Sequence, residues 1–184
     1  MNDKPILIIS GTNRPQAFAL KVAKVIEAEY QAASVPAEIF SLADMPKEIF
    51  DPSIYASKPP AVMGLQGRIV EAAGLHVVTP EYNGSFPGIL KYFIDMLKFP
   101  ESFDRKCVAF VGEANGMWGG LRSVEQLVQI FGYRNAHIFP DRVFIPDVNS
   151  KFTDNGRLTD EGIQKRLRKQ AAGFAEFIGR FKAR

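Results

Sequence analysis

Short apolar, β-branched runs alternate with amphipathic stretches along the chain. Ile6-Leu7-Ile8-Ile9 predicts a strand that stops at Ser10-Gly11. Ala19, Val22, Ala23, Ile26 and Tyr30 then recur at three- and four-residue intervals, which predicts a helix with one buried face. A second strand is expected over 37–42, and residues 43–60 form a Pro-, Asp-, Ser- and Lys-rich stretch with Ile49, Phe50, Ile54 and Tyr55 embedded in it. A stretch of that length inside a compact domain is more often functional or packed against a partner than idle.

The alternation then continues. Val62, Leu65, Ile69, Val70 and Ala73 mark a helix, and Leu75-His76-Val77-Val78-Thr79 a strand ended by Pro80. Ile89, Leu90, Phe93, Ile94 and Leu97 line a helix that Pro100 terminates. Cys107-Val108-Ala109-Phe110-Val111 is the fourth strand, and Leu121, Val124, Leu127, Val128 and Phe131 define the next helix. Residues 138–145 are expected as a fifth strand interrupted by proline, and Ile163, Leu167, Ala171, Phe174, Ile178 and Phe181 form the face of a last helix. Continuous apolar strands alternating with helices imply an α/β fold, a parallel sheet with helices on both faces. Ligands of such sheets sit beyond the carboxyl ends of the strands, where the strand order reverses.

Composition narrows the classes. The chain has 184 residues, which suits one domain spanning 1–184 without a linker. The net charge of +3 is mild, and Lys165, Arg166, Arg168 and Lys169 alternate with apolar residues as a solvated helix face, so no nucleic-acid partner is expected. No apolar run is long enough to span a bilayer, and the N-terminal run is too short for a leader, so no membrane partner and a cytoplasmic location are expected. Cys107, the single cysteine, rules out an internal disulfide and reads as a small buried hydrophobe.

Three strand-end loops carry candidate chemistry. Ser10-Gly11-Thr12-Asn13-Arg14-Pro15-Gln16 precedes a helix, where free N–H groups, the macrodipole and a guanidinium suit a phosphate. The same small polar residues also serve ordinary capping. Pro80-Glu81-Tyr82-Asn83-Gly84 follows the third strand, with Asn83-Gly84 tolerating positive φ so that amides can face a ligand. Gly112-Glu113-Ala114-Asn115-Gly116-Met117-Trp118-Gly119-Gly120 follows the fourth, and its four glycines suggest close approach to something flat or charged. His76 and His137 sit in apolar runs and read as structural. No catalytic acid, base or metal-ligand set is named.

The run Pro80-Glu81-Tyr82-Asn83-Gly84-Ser85-Phe86-Pro87-Gly88, with Leu90-Lys91 and Asp95, resembles the signature of the NADPH-dependent FMN reductase family, which includes quinone and azo-dye reductases. Gly11-Thr12-Asn13-Arg14 is similar to its phosphate loop, and Gly116, Gly119, Gly120, Arg122, Leu127, Gly132, Pro140 and Pro146 follow its later spacing. The resemblance spans Ile6 to Pro146. It implies a flavodoxin-like three-layer sandwich with a five-stranded parallel sheet, binding FMN at its strand-end edge. Ser10, Thr12, Arg14, Gln16, Ala17, Phe18 and Ala19 would surround the phosphate. Pro80, Glu81, Tyr82, Asn83 and Gly84 would line the isoalloxazine, and Glu113, Ala114, Asn115 and Gly116 would cover its other edge.

The implied activity is NAD(P)H-dependent flavin oxidoreduction: NADPH or NADH reduces bound FMN, which then reduces a small planar quinone, azo or flavin acceptor. A homodimer or homotetramer is implied as well, and the large apolar residues Tyr92, Phe93, Met96 and Phe99 suggest the same. Trp118 and the loop 49–55, contributed by a second subunit, are candidate walls for the acceptor. Two departures stand out. Ala17 and Ala19 replace the family's serine and asparagine, two charge-assisted hydrogen bonds of about 1.5–3 kcal/mol each. Tyr92 stands where the family tends to place asparagine. The competing reading is a flavodoxin-like binding or electron-carrier module with weakened or lost FMN binding and no turnover. A pI near 9.0 opposes a flavodoxin-type carrier, and Thr79-Pro80 replaces the aspartate that a receiver domain requires.

Overall fold

The computed structural model describes residues 4–182; Met1, Asn2 and Asp3, part of the stretch read for a leader, lie outside the described residues. Strand β1 (Ile6–Ser10) leads into helix α1 (Phe18–Ala32), then β2 (Ala37–Ser41), α2 (Pro60–Glu71), β3 (Gly74–Pro80) and α3 (Gly88–Met96). β4 (Cys107–Glu113), α4 (Leu121–Tyr133), β5 (His137–Ile138), β6 (Val143–Ile145) and α5 (Glu161–Lys182) complete the order. All pairings are parallel, in the spatial order β2-β1-β3-β4-β5, with β6 also on β4. The order reverses between β1 and β3, so the loops after β1 and β3 leave the sheet side by side.

Strand alternation sorts side chains into two apolar layers. Leu7, Ile9, Leu75, Val77, Val108 and Phe110 pack under α2, α3 and α4, and Ile6, Ile8, Val78, Ala109 and Val111 under α1 and α5. The expected face of α1 is the observed one: Ala19, Val22, Ala23, Ile26 and Tyr30 are its buried residues.

Two readings change. The fifth strand is two strands: Val108 pairs with Ile138 but Val111 with Val143, so Phe139, Pro140, Asp141 and Arg142 stand opposite only Ala109 and Phe110. Pro140 has no N–H to give the ladder. The Gln170 amide of α5 fills the gap, donating to Phe110 O (2.9 Å) and Asp141 O (2.8 Å). The 43–60 stretch is the other. It forms three short 3-10 turns that seat Met45, Ile49 and Ile54 in the layer under α2 and α3. Tyr92 explains its own identity there: its hydroxyl donates to Ile49 O at 2.6 Å and its ring stacks on Phe50.

Candidate functional site

Three loops meet at the carboxyl edge. In the first, Gly11 donates to Val78 O at 2.8 Å, and any Cβ there would press on that same oxygen. The Thr12 hydroxyl is buried and internally engaged, accepting from the Arg14 N–H (3.2 Å) and pairing with the Tyr82 hydroxyl (3.3 Å). Thr12 therefore ties loop one to loop two. Gln16 is held at a φ of 56°, an uncommon conformation for a side-chain-bearing residue. α1 then begins behind Ala17, whose side chain supplies no cap, so its first N–H groups look to partners outside the helix.

In the second loop, Tyr82 and Ser85 exchange two backbone hydrogen bonds around Asn83 and Gly84, at φ 53° and 74°. Two positive φ values in a two-residue turn match the tight-hairpin geometry expected from Asn-Gly. Glu81 is engaged by α4: its carboxylate accepts from the Arg122 N–H and guanidinium at the start of that helix. Ser123 donates to Pro80 O at 3.0 Å and fixes the end of β3.

The third loop corrects the sequence reading of its glycines. A Cβ on Gly112 would fall 2.8 Å from the Gly119 and Gly120 carbonyl oxygens, one on Gly119 2.7 Å from Pro146 N, and one on Gly120 2.5 Å from Glu113 N. The close approach is therefore of the loop's end to β4 and β6, and of these four glycines only Gly116 faces open space. The loop is stapled at its far side, where Val148 donates to Ala114 O (3.2 Å) and the Asn149 N–H to Asn115 Oδ1 (3.1 Å).

Between the loops lies a cleft of about 610 Å³. Arg14, Gln16, Ala17 and Phe18 line it from the first loop and Pro80, Glu81, Tyr82 and Gly84 from the second. Glu113, Ala114, Asn115 and Gly116 complete it from the third. Of the expected residues, Ser10, Thr12 and Ala19 are buried behind this lining and Asn83 is exposed outside it, while Pro15, Val148 and Asn149 join it. The last two follow β6, whose shifted register brings them beside the third loop. Trp118 is half exposed and outside the lining, and the 49–55 segment packs on α3 of its own chain while leaving Phe50 and Tyr55 exposed. Size alone does not mark the site. A depression of about 730 Å³ beside Lys21, Lys24 and Arg157 is larger but lies away from the strand ends.

Glu113 is the unusual ionisable group. It ends β4, is 5% exposed, and burial pushes its carboxyl up to about 7, against the pull of the Ala19 N–H and the Arg14 guanidinium toward the charged form. Below it on the same sheet face, His76 is buried without exposure. Tyr30 OH lies 2.8 Å from its Nδ1, and Gln170 Oε1 is 3.1 Å from its Nε2. Burial pushes His76 down to about 4. Cys107 is buried, as expected.

The model of the NADPH-dependent FMN reductase family matches residues 5–149. The chain belongs to this family. It is 31% identical over 183 residues to a quinone reductase of Escherichia coli, covering 96% of each chain. It is 29% identical over 138 residues to an NAD(P)H-dependent FMN reductase of Pseudomonas aeruginosa, covering 73% of this chain and 75% of that one. Among solved structures, the flavoenzyme NAD(P)H:(acceptor) oxidoreductase of Paracoccus denitrificans superposes with a TM-score of 0.81 at 23% identity, over 97% of this chain and 98% of that one. The fold is flavodoxin-like, and the chain is an NAD(P)H-dependent flavin oxidoreductase whose cofactors are FMN and NAD(P)H.

The cleft fits such a cofactor. A cleft bounded by backbone-rich loops adjoins the N-terminus of α1, where Ala17 supplies no side-chain cap and an arginine stands beside it, the chemistry that a planar ring and a phosphate require.

Proposed function

We propose that this FMN reductase family member takes electrons from NADPH or NADH and delivers them to a small planar quinone or azo acceptor. The observation that carries this reading is the cleft at the point where strand order reverses, built from the three loops that the family signature occupies. The quinone reductase of Escherichia coli supports the acceptor class.

Arg14 and the first turn of α1 take the phosphate. Backbone groups of residues 80–84 hold one side of the ring, and residues 113–116 close the other edge. FMN, when bound, supplies two-electron chemistry: NAD(P)H and a proton are consumed, and the quinone leaves as a quinol. The protein's part is to orient the ring, exclude water from one face and leave the other open to two substrates in turn.

Visible absorbance with added FMN, followed by NAD(P)H oxidation with a quinone, tests the reading. Saturable FMN binding and turnover above that of free flavin are expected. Binding without turnover assigns a carrier or binding role instead.

Assembly as at least a dimer and a cytoplasmic location belong to the same proposal. Of the apolar residues on and after α3, Phe93 and Met96 are core, while Phe99 is exposed beside the Arg134 guanidinium. Exposed Tyr55 and Met63 add to the apolar surface that supports an interface. A monomeric mass in light scattering at micromolar concentration overturns the dimer. No described helix is long and apolar enough to cross a membrane, and the buried lone thiol suits a reducing compartment.

A further inference from the structure

We infer that Glu113 is a proton-linked gate on the phosphate end of the flavin site: its neutral carboxyl admits the phosphate to the first turn of α1, and its carboxylate repels it. The inference rests on the FMN reading above and names how that site is regulated.

The geometry begins with strand parity. Ala109 and Val111 of β4 point into the layer under α1 and α5, so Glu113, two residues on, faces the same side at the strand's end. There the Ala19 N–H of the first turn of α1 pulls on its carboxyl, as does Arg14 from the loop in front. Ala17 and Ala19 carry no side-chain group that could serve an anion, and Ala17 supplies no cap of its own. A second buried polar group lies on the same sheet face. The Ser10 hydroxyl ends β1 in register with Ile6 and Ile8 of that layer, is fully buried, and has no hydrogen-bond partner.

One helix N-terminus thus serves two acids, Glu113 and the cofactor's phosphate. Two adjacent anions in a partly desolvated site do not both ionise freely, so one proton is retained when the phosphate enters. Among the described residues, Arg14 is the cation that acts on Glu113. Glu81 of the β3 loop is turned to Arg122, Asp147 ahead of Val148 accepts from Ser150, and Lys151 pairs with Asp160 at the start of α5. The carboxyl's displacement to about 7 puts the proton's release in a range where cells and assays operate.

The test is the affinity of FMN and of riboflavin, which lacks the phosphate, read by flavin fluorescence for wild type and Glu113→Gln. The phosphate's own second ionisation lies near pH 6, so the comparison runs from about pH 7.5 to about pH 9. Wild type should lose FMN affinity at least about tenfold over that span while riboflavin stays level. Glu113→Gln should level the FMN curve and bind FMN about tenfold tighter than wild type at the alkaline end. A level FMN curve in wild type, an unchanged slope in Glu113→Gln, or an equal slope for riboflavin overturns the gate and leaves the reductase reading intact. Failure of either flavin to bind at any pH overturns both. Calorimetry of wild type in two buffers of different ionisation enthalpy gives a readout that needs no variant. FMN should take up about one proton per site near pH 8.5 and riboflavin none. No uptake with FMN overturns the gate.

Discussion

Two ionisable side chains lie on the same face of the sheet at nearly the same burial, and they do opposite things. His76, in the middle of β3, has both ring nitrogens engaged, by Tyr30 and by Gln170. Glu113, at the tip of β4, meets one backbone N–H and a partly solvated arginine. Both are pushed toward their neutral forms by burial. The difference is satisfaction. His76 is a closed network that locks α1 and α5 to the sheet, whereas Glu113 keeps bonding capacity toward a cleft. Burial alone does not mark a functional group; unfilled hydrogen-bonding capacity beside an opening does.

The comparison is most directly broken by stability measurements. Gln170→Leu removes the partner of His76 and uncovers the Phe110 and Asp141 carbonyls, and should cost about 2–4 kcal/mol in urea denaturation. Glu113→Gln should cost less than about 1 kcal/mol, because it removes a strained charge and keeps the shape. The reverse ranking would mean that Glu113 is the structural group.

A smaller effect separates the two by pH. His76 titrates near 6.5 when unfolded and near 4 when folded, so its contribution is complete above 6.5 and fades as pH falls toward 4. Glu113 titrates near 4.5 unfolded and near 7 folded, so its contribution is complete below 4.5 and fades as pH rises toward 7. Between 4.5 and 6.5 the two slopes oppose each other, each at most about 1.4 kcal/mol per pH unit. Flavin-free Glu113→Gln should therefore gain about 1–2 kcal/mol of stability relative to wild type as pH rises through that window. Parallel curves for the two proteins would sink the assignment of Glu113 as the opposing group.

The same residues show what a sequence carries. The face of α1 was legible because a 3.6-residue period in apolar residues has one physical meaning. The three loops were legible because a parallel sheet presents its strand ends together. Gln170 was not, since a polar residue within an apolar stripe gains its purpose only from the two-residue register shift between β5 and β6. Glycines at positions 112, 119 and 120 misled for a related reason: a backbone approaching its own neighbour and one approaching a ligand need the same residue. Glu113 was named as a site residue, but its contest with an incoming phosphate depends on strand parity and on what α1 lacks. Val148 and Asn149 carried no signal, because they reach the cleft only through the path of β6.

The split outer strand has a further consequence for how copies of this chain can meet. An unbroken edge would offer a row of free amides and carbonyls to any passing strand. Here that rim consists of a two-residue strand, a proline-bearing detour and a three-residue strand. The opposite rim is the short β2, where Glu38 is paired with Arg68. Neither border is a template for zipper-like growth, so association is steered toward helix and loop surfaces, and crowded, partly unfolded chains lack a ready seed for fibres.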